Sequence, residues 1–180
     1  MDPISVWHGE HMRFSRLLDF LDRQMSAFHS GEDPDYGLMR DAIQYLHDYG
    51  DRYHHPREDF AFRHLVRHDA GFQSTVNQLL QEHRAIAVAG EALLHLLDEI
   101  IEDATITRAK VEAAAALYFG YYRGHVATEE REVLPLAAKL LTPEDWADVA
   151  AAVPYMPDPM VGDEIAAQYR QLRDSIARLG

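Results

Sequence analysis

Apolar residues recur along the chain at intervals of three and four, the spacing of one helix face, and no stretch shows the strict alternation of a half-buried strand. The pattern predicts a first helix from about Ser5 to His29, with Met12, Phe14, Leu17, Leu18, Leu21 and Met25 at its apolar positions. Ser30-Gly31-Glu32-Asp33-Pro34 ends it with a glycine cap and a new start signal. A second helix is expected from about Asp35 to Arg67, its face marked by Leu38, Met39, Ile43, Leu46, Tyr49 and Tyr53, then by Phe60, Phe62 and Leu65. Pro56 falls inside it and predicts a kink beside His54 and His55, because proline lacks an amide donor and crowds the preceding turn. After His68-Asp69-Ala70-Gly71 a third helix continues to about Glu102, and Asp103-Ala104-Thr105 leads into a fourth that reaches about Leu141. Thr142-Pro143-Glu144-Asp145 reads as an N-cap with proline at the first helical position, opening a short helix to about Val153. Pro154, Pro157 and Pro159 then break the chain before a last amphipathic helix from about Asp163 to Leu179.

The expected fold is all-α. Residues 1–141 form an up-down-up-down four-helix bundle, and residues 142–180 add two short C-terminal helices, packed on the bundle as a cover or serving as a homodimer contact.

Polar residues interrupt the apolar rows in a repeated arrangement. A lone histidine, His11, is followed 43 residues later by His54 of a His-x-x-x-Glu motif that ends at Glu58. A second lone histidine, His83, is followed 42 residues later by His125 of another, ending at Glu129. Residues four apart share a helix face, so each motif offers an imidazole and a carboxylate to one point. His11 continues the row of Phe14, Leu18 and Met25; His83 shares a face with Val76, Leu79, Leu80, Ile86 and Ala87; His125 follows Tyr118, Tyr121 and Tyr122 and precedes Glu129 and Glu132.

Short loops make consecutive helices antiparallel neighbours, so heights can be compared by counting to each turn. His11 and His54 both fall roughly 27–29 Å from the first loop at about 1.5 Å per residue. Counting from the other turns brings His83, Glu58 and His125 to the same level. Four imidazoles and two carboxylates converging in a bundle interior form a ligand set for two transition-metal ions. An unpartnered buried carboxylate costs several kcal/mol, and two divalent ions supply the missing charge.

Composition narrows the chemistry. The 180 residues suit one core without staples, and the absence of cysteine excludes disulfides, thiolate metal sites, iron–sulfur clusters and thiol catalysis. A net charge of −13 argues against nucleic acid and an anionic membrane surface as partners. No apolar run reaches the roughly 18 residues of a membrane span, and Met1-Asp2-Pro3-Ile4-Ser5 lacks the character of a signal peptide, so a cytoplasmic location is expected. Eleven histidines against 17 lysines and arginines favour ligand duty. There is no glycine-rich phosphate loop and no serine in a nucleophile context.

At Trp7-His8-Gly9-Glu10-His11, Tyr53-His54-His55-Pro56-Arg57-Glu58-Asp59, Gln81-Glu82-His83-Arg84 and His125-Val126-Ala127-Thr128-Glu129-Glu130 the chain resembles the hemerythrin-like family, the His-His-Glu cation-binding bundles. The resemblance spans roughly residues 5 to 140. It implies a non-haem centre of two iron ions with an oxo or hydroxo bridge, in which His11, His54, His83 and His125 are terminal ligands and Glu58 and Glu129 bridging carboxylates. Oxygen-carrying members place a second histidine on the third helix and use an aspartate as one bridge. Here Leu79 and Ala87 flank His83 at four residues' distance and the bridge is Glu129. Four histidines in place of five leave the metals more open positions; Glu10, Glu82, His47 and Tyr118 are candidate fillers, each expected more readily behind a ligand or in the core than on a metal.

Neutral imidazoles leave more positive charge on iron than a carboxylate-dominated site does, which favours the ferrous state and weakens the push that cleaves the O–O bond. The expected function is binding or slow processing of dioxygen, nitric oxide or hydrogen peroxide in sensing or stress response. Alternatives are an iron-storage or iron-sensing module, a catalase- or peroxidase-like enzyme, and a zinc-bound structural bundle.

Overall fold

The computed structural model describes residues 2–162 and 165–178. Among them the ordered elements are all helical: α1 (Pro3–Ser30), α2 (Tyr36–Tyr45), a π-helical segment (Leu46–His54), α3 (His55–His68), α4 (Gln73–Ile101), α5 (Arg108–Thr128), a second π-helical segment (Glu129–Val133), α6 (Leu134–Leu140), α7 (Pro143–Ala152) and α8 (Arg170–Ala177), with single 3₁₀ turns at Ala70–Phe72 and Ala167–Tyr169.

The termini follow from capping chemistry. The Asp2 side chain accepts the Ser5 amide at 3.0 Å, with Pro3 at the first helical position. Gly31, at φ +79°, closes α1 by donating to the Ala27 and Phe28 carbonyls, a left-handed turn that glycine adopts without strain. Asp35 accepts the Leu38 amide at 2.9 Å and starts α2. Thr142 and Asp145 exchange side-chain and backbone bonds in a capping box at the head of α7, where the sequence places one.

The break predicted at Pro56 takes the form of a widened turn. The His55 amide bonds to the Gly50 carbonyl, five residues back, at the end of the Leu46–His54 segment. A proline ring collides with the carbonyl four residues before it in a regular α-helix, and the shifted register relieves that collision. The same device recurs before Pro135, where the Leu134 amide bonds to the Glu129 carbonyl. Both widened turns touch the His-x-x-x-Glu motifs: one ends at His54, the other begins at Glu129.

The last helix expected from Asp163 to Leu179 has its ends outside the described residues; between them lie the Ala167–Tyr169 turn and α8.

α1 packs on α2 and α5, and α4 packs on the same two, closing a four-sided bundle. α8 lies against α1 and α2, adding Tyr169 and Leu172 to the core, while α7 lies against α3 and contributes Val149. The apolar interior is split in two. One cluster includes Phe14, Leu18, Ile43, Leu46, Ile86, Leu93, Tyr118 and Tyr122; the other includes Trp7, Phe62, Leu65, Val76, Leu79, Val133 and Leu134. Between them in sequence along every bundle helix sits a buried polar layer of Glu10, His11, His54, His55, Glu58, His83, His125 and Glu129.

Candidate metal centre

The six residues singled out by spacing meet in this layer. His11 Nε2 stands 3.0 Å from His54 Nε2, and His83 Nε2 stands 2.9 Å from His125 Nε2. The two glutamates link the pairs. Glu58 turns Oε1 toward His11 (3.3 Å) and His54 (3.1 Å) and Oε2 toward His83 (3.6 Å). Glu129 turns Oε2 toward His11 (3.4 Å) and Oε1 toward His125 (3.1 Å) and His83 (3.6 Å). Each carboxylate therefore presents one oxygen to each histidine pair.

A second ring of carboxylates fixes the imidazoles. His11 Nδ1 pairs with Glu130 Oε1 at 2.7 Å, His54 Nδ1 with Glu10 Oε2, His83 Nδ1 with Asp59 Oδ1 at 2.7 Å, and His125 Nδ1 with Glu82 Oε2 at 3.1 Å. With the proton held on Nδ1, all four Nε2 lone pairs face the centre, the arrangement that outer carboxylates impose on metal-bound histidines. The ring follows the sequence repeat. Glu10 precedes His11 and holds His54; Glu82 precedes His83 and holds His125; Asp59 follows Glu58 and holds His83; Glu130 follows Glu129 and holds His11.

The arrangement fits two metal ions. Lone pairs facing each other at 2.9–3.0 Å repel unless a cation lies between them. All four oxygens of Glu58 and Glu129 are buried and receive no hydrogen bond of good geometry, at a cost of several kcal/mol per uncompensated carboxylate. Cis donors about 2.1 Å from an octahedral ion stand about 3.0 Å apart, and tetrahedral donors about 3.4 Å. Those separations match the ones within each pair and to its nearer carboxylate oxygens. Six carboxylates, Glu10, Glu58, Asp59, Glu82, Glu129 and Glu130, surround the imidazoles. Arg57, stacked on Tyr53 at 4.1 Å, supplies one guanidinium through its bond to Glu10.

The metal-free titration behaviour shows the same demand for positive charge. Burial alone would lower His11, yet Glu130, Glu58 and Glu129 push it up to about 10. Burial opposes the charge on His83 too, and Asp59, Glu129 and Glu58 likewise carry it to about 10. Burial works to raise Glu58, but His54 and His11 hold it well below the usual carboxylate range. Burial and the neighbouring Glu58 charge push Glu129 upward, and His125 and His83 outweigh them. Protons occupy the place of the ions when metal is removed.

None of the fillers suggested by sequence joins this donor set. Glu10 and Glu82 stand behind His54 and His125, His47 Nδ1 faces Asp51 at 3.3 Å, and the Tyr118 ring packs against Gly90. Tyr118 and Tyr122 are buried with unpartnered hydroxyls, whereas Tyr121, expected in the same inward row, is exposed; offsets of three and seven from His125 stay on its face and an offset of four swings outward here. Met12, Phe60 and Glu132, also read as belonging to inward faces, are exposed.

Sequence spacing missed His55. It is buried, its ring stacks on His83 at 4.1 Å between centroids and 11° between planes, and one of its nitrogens lies within 4.8 Å of donor atoms of Glu58, His83 and His125. Consecutive residues of a regular helix diverge by about 100°, so periodicity places His55 away from His54's face and carries no sign of the widened turn that ends at His54. Glu10 and Glu82 take the place behind a ligand that the sequence favours for them, and Asp59 and Glu130 carry the same signal: an acidic residue adjoins His11, Glu58, His83 and Glu129 in the sequence.

No described helix is long and apolar enough to cross a membrane. No curated protein and no solved structure matched the chain. Residues 2–137, spanning all six converging donors and the four outer carboxylates, match the family model of the hemerythrin HHE cation-binding domain. The chain belongs to the hemerythrin HHE cation-binding domain family.

Proposed function

We propose that this is a cytoplasmic di-iron protein that binds or slowly processes dioxygen, nitric oxide or hydrogen peroxide, in sensing or stress response. The observation that carries the reading is the pair of glutamates, each spanning the two histidine pairs: Glu58 faces His11 and His54 with one oxygen and His83 with the other, and Glu129 faces His11 with one and His83 and His125 with the other. In this reading His11, His54, His83 and His125 are terminal ligands and Glu58 and Glu129 bridge. Two iron ions in this set would supply a redox couple and open positions for a small molecule. A centre that favours the ferrous state suits a reducing compartment.

The protein's own groups define what such a site can do. Glu10, Asp59, Glu82 and Glu130 hold protons on Nδ1 and keep each Nε2 available. Phe14 and Trp7, from the two different apolar clusters, both stand edge-on to His54, at 4.9 and 6.3 Å between ring centroids, so the wall there is aromatic. These four carboxylates act by charge and position rather than on substrate directly. This favours a small ligand without a complex recognition surface.

The two apolar clusters on either side of the polar layer favour ligand binding over an iron sensor that unfolds without metal. Each cluster contains several fully buried large side chains, so the bundle retains cores of its own when metal leaves.

Stopped-flow mixing of the reduced, iron-loaded protein with each of the three molecules tests the reading. At least one should change the optical spectrum within seconds. No change with any of them would overturn it and favour a structural or iron-sensing role.

A further inference from the structure

The repeat that organises the centre pairs residues one to one: His11 with His83, His54 with His125, Glu58 with Glu129, Glu10 with Glu82, and Asp59 with Glu130. His55 breaks it, because the residue after His125 is Val126. The departure lies in the layer itself. His55 is buried between Tyr122, whose ring centroid is 5.8 Å away, and the stacked His83 ring, and its ring meets that of His125 edge-on at 5.4 Å.

We infer that His55 is a fifth histidine donor, bound to the ion held by His83 and His125. The inference rests on the two-ion reading above.

Three observations carry it. A ring nitrogen of His55 lies within 4.8 Å of donors from Glu58, His83 and His125 simultaneously, so one ion can reach all four once the His55 ring turns out of its stack on His83 to bring the ion into both ring planes. Asp51 Oδ1 stands 3.2 Å from His55 Nδ1, a charge contact without the hydrogen-bond alignment that holds the other four inward histidines, and its place beside Nδ1 leaves Nε2 for the metal. The Leu46–His54 widened turn shifts the helical register where His54 and His55 follow one another, and both are buried although neighbours on a regular helix diverge by about 100°.

The two ions are thereby inequivalent. One has His11 and His54 with the two bridging glutamates; the other has His55, His83 and His125 with the same bridges.

The test uses full-length protein stripped of metal and titrated anaerobically with Co²⁺ alone, followed by visible absorption and by proton NMR in water. The fully loaded wild type should bind two ions and show five hyperfine-shifted imidazole N–H signals that disappear in D₂O. Four such signals, with two ions bound, would overturn the inference while leaving the two-ion reading intact. Fewer than two ions in the wild type would overturn the two-ion reading itself. His55→Phe keeps the ring stacked on His83 and removes the donor. It should bind one Co²⁺ as the wild type does and the other at least about 10-fold more weakly, since losing only an outer partner already costs about 10–100-fold, with stronger visible absorption from the less coordinated ion. Two ions bound at wild-type affinity by folded His55→Phe protein would reject His55 as a ligand. The NMR count on the wild type decides the matter if the variant does not fold.

Discussion

Glu10→Gln tests whether the outer carboxylates are part of the metal-binding apparatus. Glu10 is buried, and its Oε2 accepts from His54 Nδ1 and from Arg57, while Oε1 accepts the Tyr49 hydroxyl at 2.8 Å. Glutamine has nearly the same shape. Its carbonyl can face His54 and Arg57, and its amide can donate to the Tyr49 oxygen, so the bonds survive in number. What disappears is the negative charge that backs His54 as a metal donor and anchors the half-buried Arg57. Loss of such an outer partner weakens metal affinity by about 10–100-fold, which is about 1.4–2.7 kcal/mol. Anaerobic competition for Fe²⁺ against a chromophoric chelator measures it, with circular dichroism confirming the helices. Glu132→Gln is the control, since Glu132 is exposed and pairs with Arg131. Wild-type affinity in folded Glu10→Gln, or an equal loss in Glu132→Gln, would refute the argument.

Further outcomes follow from the same geometry. His54→Ala should lose metal and keep most of its helicity, whereas His29→Ala should change neither, because His29 is exposed beside Glu112; metal analysis and circular dichroism decide. In the metal-free protein His11 and His83 rise from 6.5 to about 10, so their stabilising charge is fully present below about pH 6.5 and is lost as pH climbs through about 10. Scanning calorimetry should find the metal-free melting temperature falling from pH 7 to 10, and a flat or rising profile would contradict the assignment. Gly50→Ala would put a Cβ about 2.7 Å from the Tyr122 hydroxyl, destabilising by about 1–3 kcal/mol; adding Tyr122→Phe removes the clashing atom and should restore most of the loss in a denaturant titration.

Much of this was legible in the chain. Apolar periodicity placed the helices, Gly31, Asp35 and Thr142 marked their ends, and the separations of 43 and 42 residues brought the six donors to one level. These features are local or linear, so counting captures them. What counting missed depends on packing between helices. Pro56 announced a disturbance but not its form, and Pro135, followed by the same helical rows, announced its own widened turn unnoticed. His55 enters the layer only because that turn shifts the register. Tyr121 was placed inward because an offset of four holds for a regular α-helix that faces a partner squarely, and α5 turns that position to solvent. The outer carboxylates reach across to histidines of other helices, so their partners could not be read off, although their adjacency to the inner donors could.

The most direct test of the account is the number of ions the centre holds. Metal-free protein titrated anaerobically with Fe²⁺ should saturate at two ions per chain, and Glu58→Ala together with Glu129→Ala should abolish that uptake. Saturation at one ion, or full binding with both bridges removed, would contradict it.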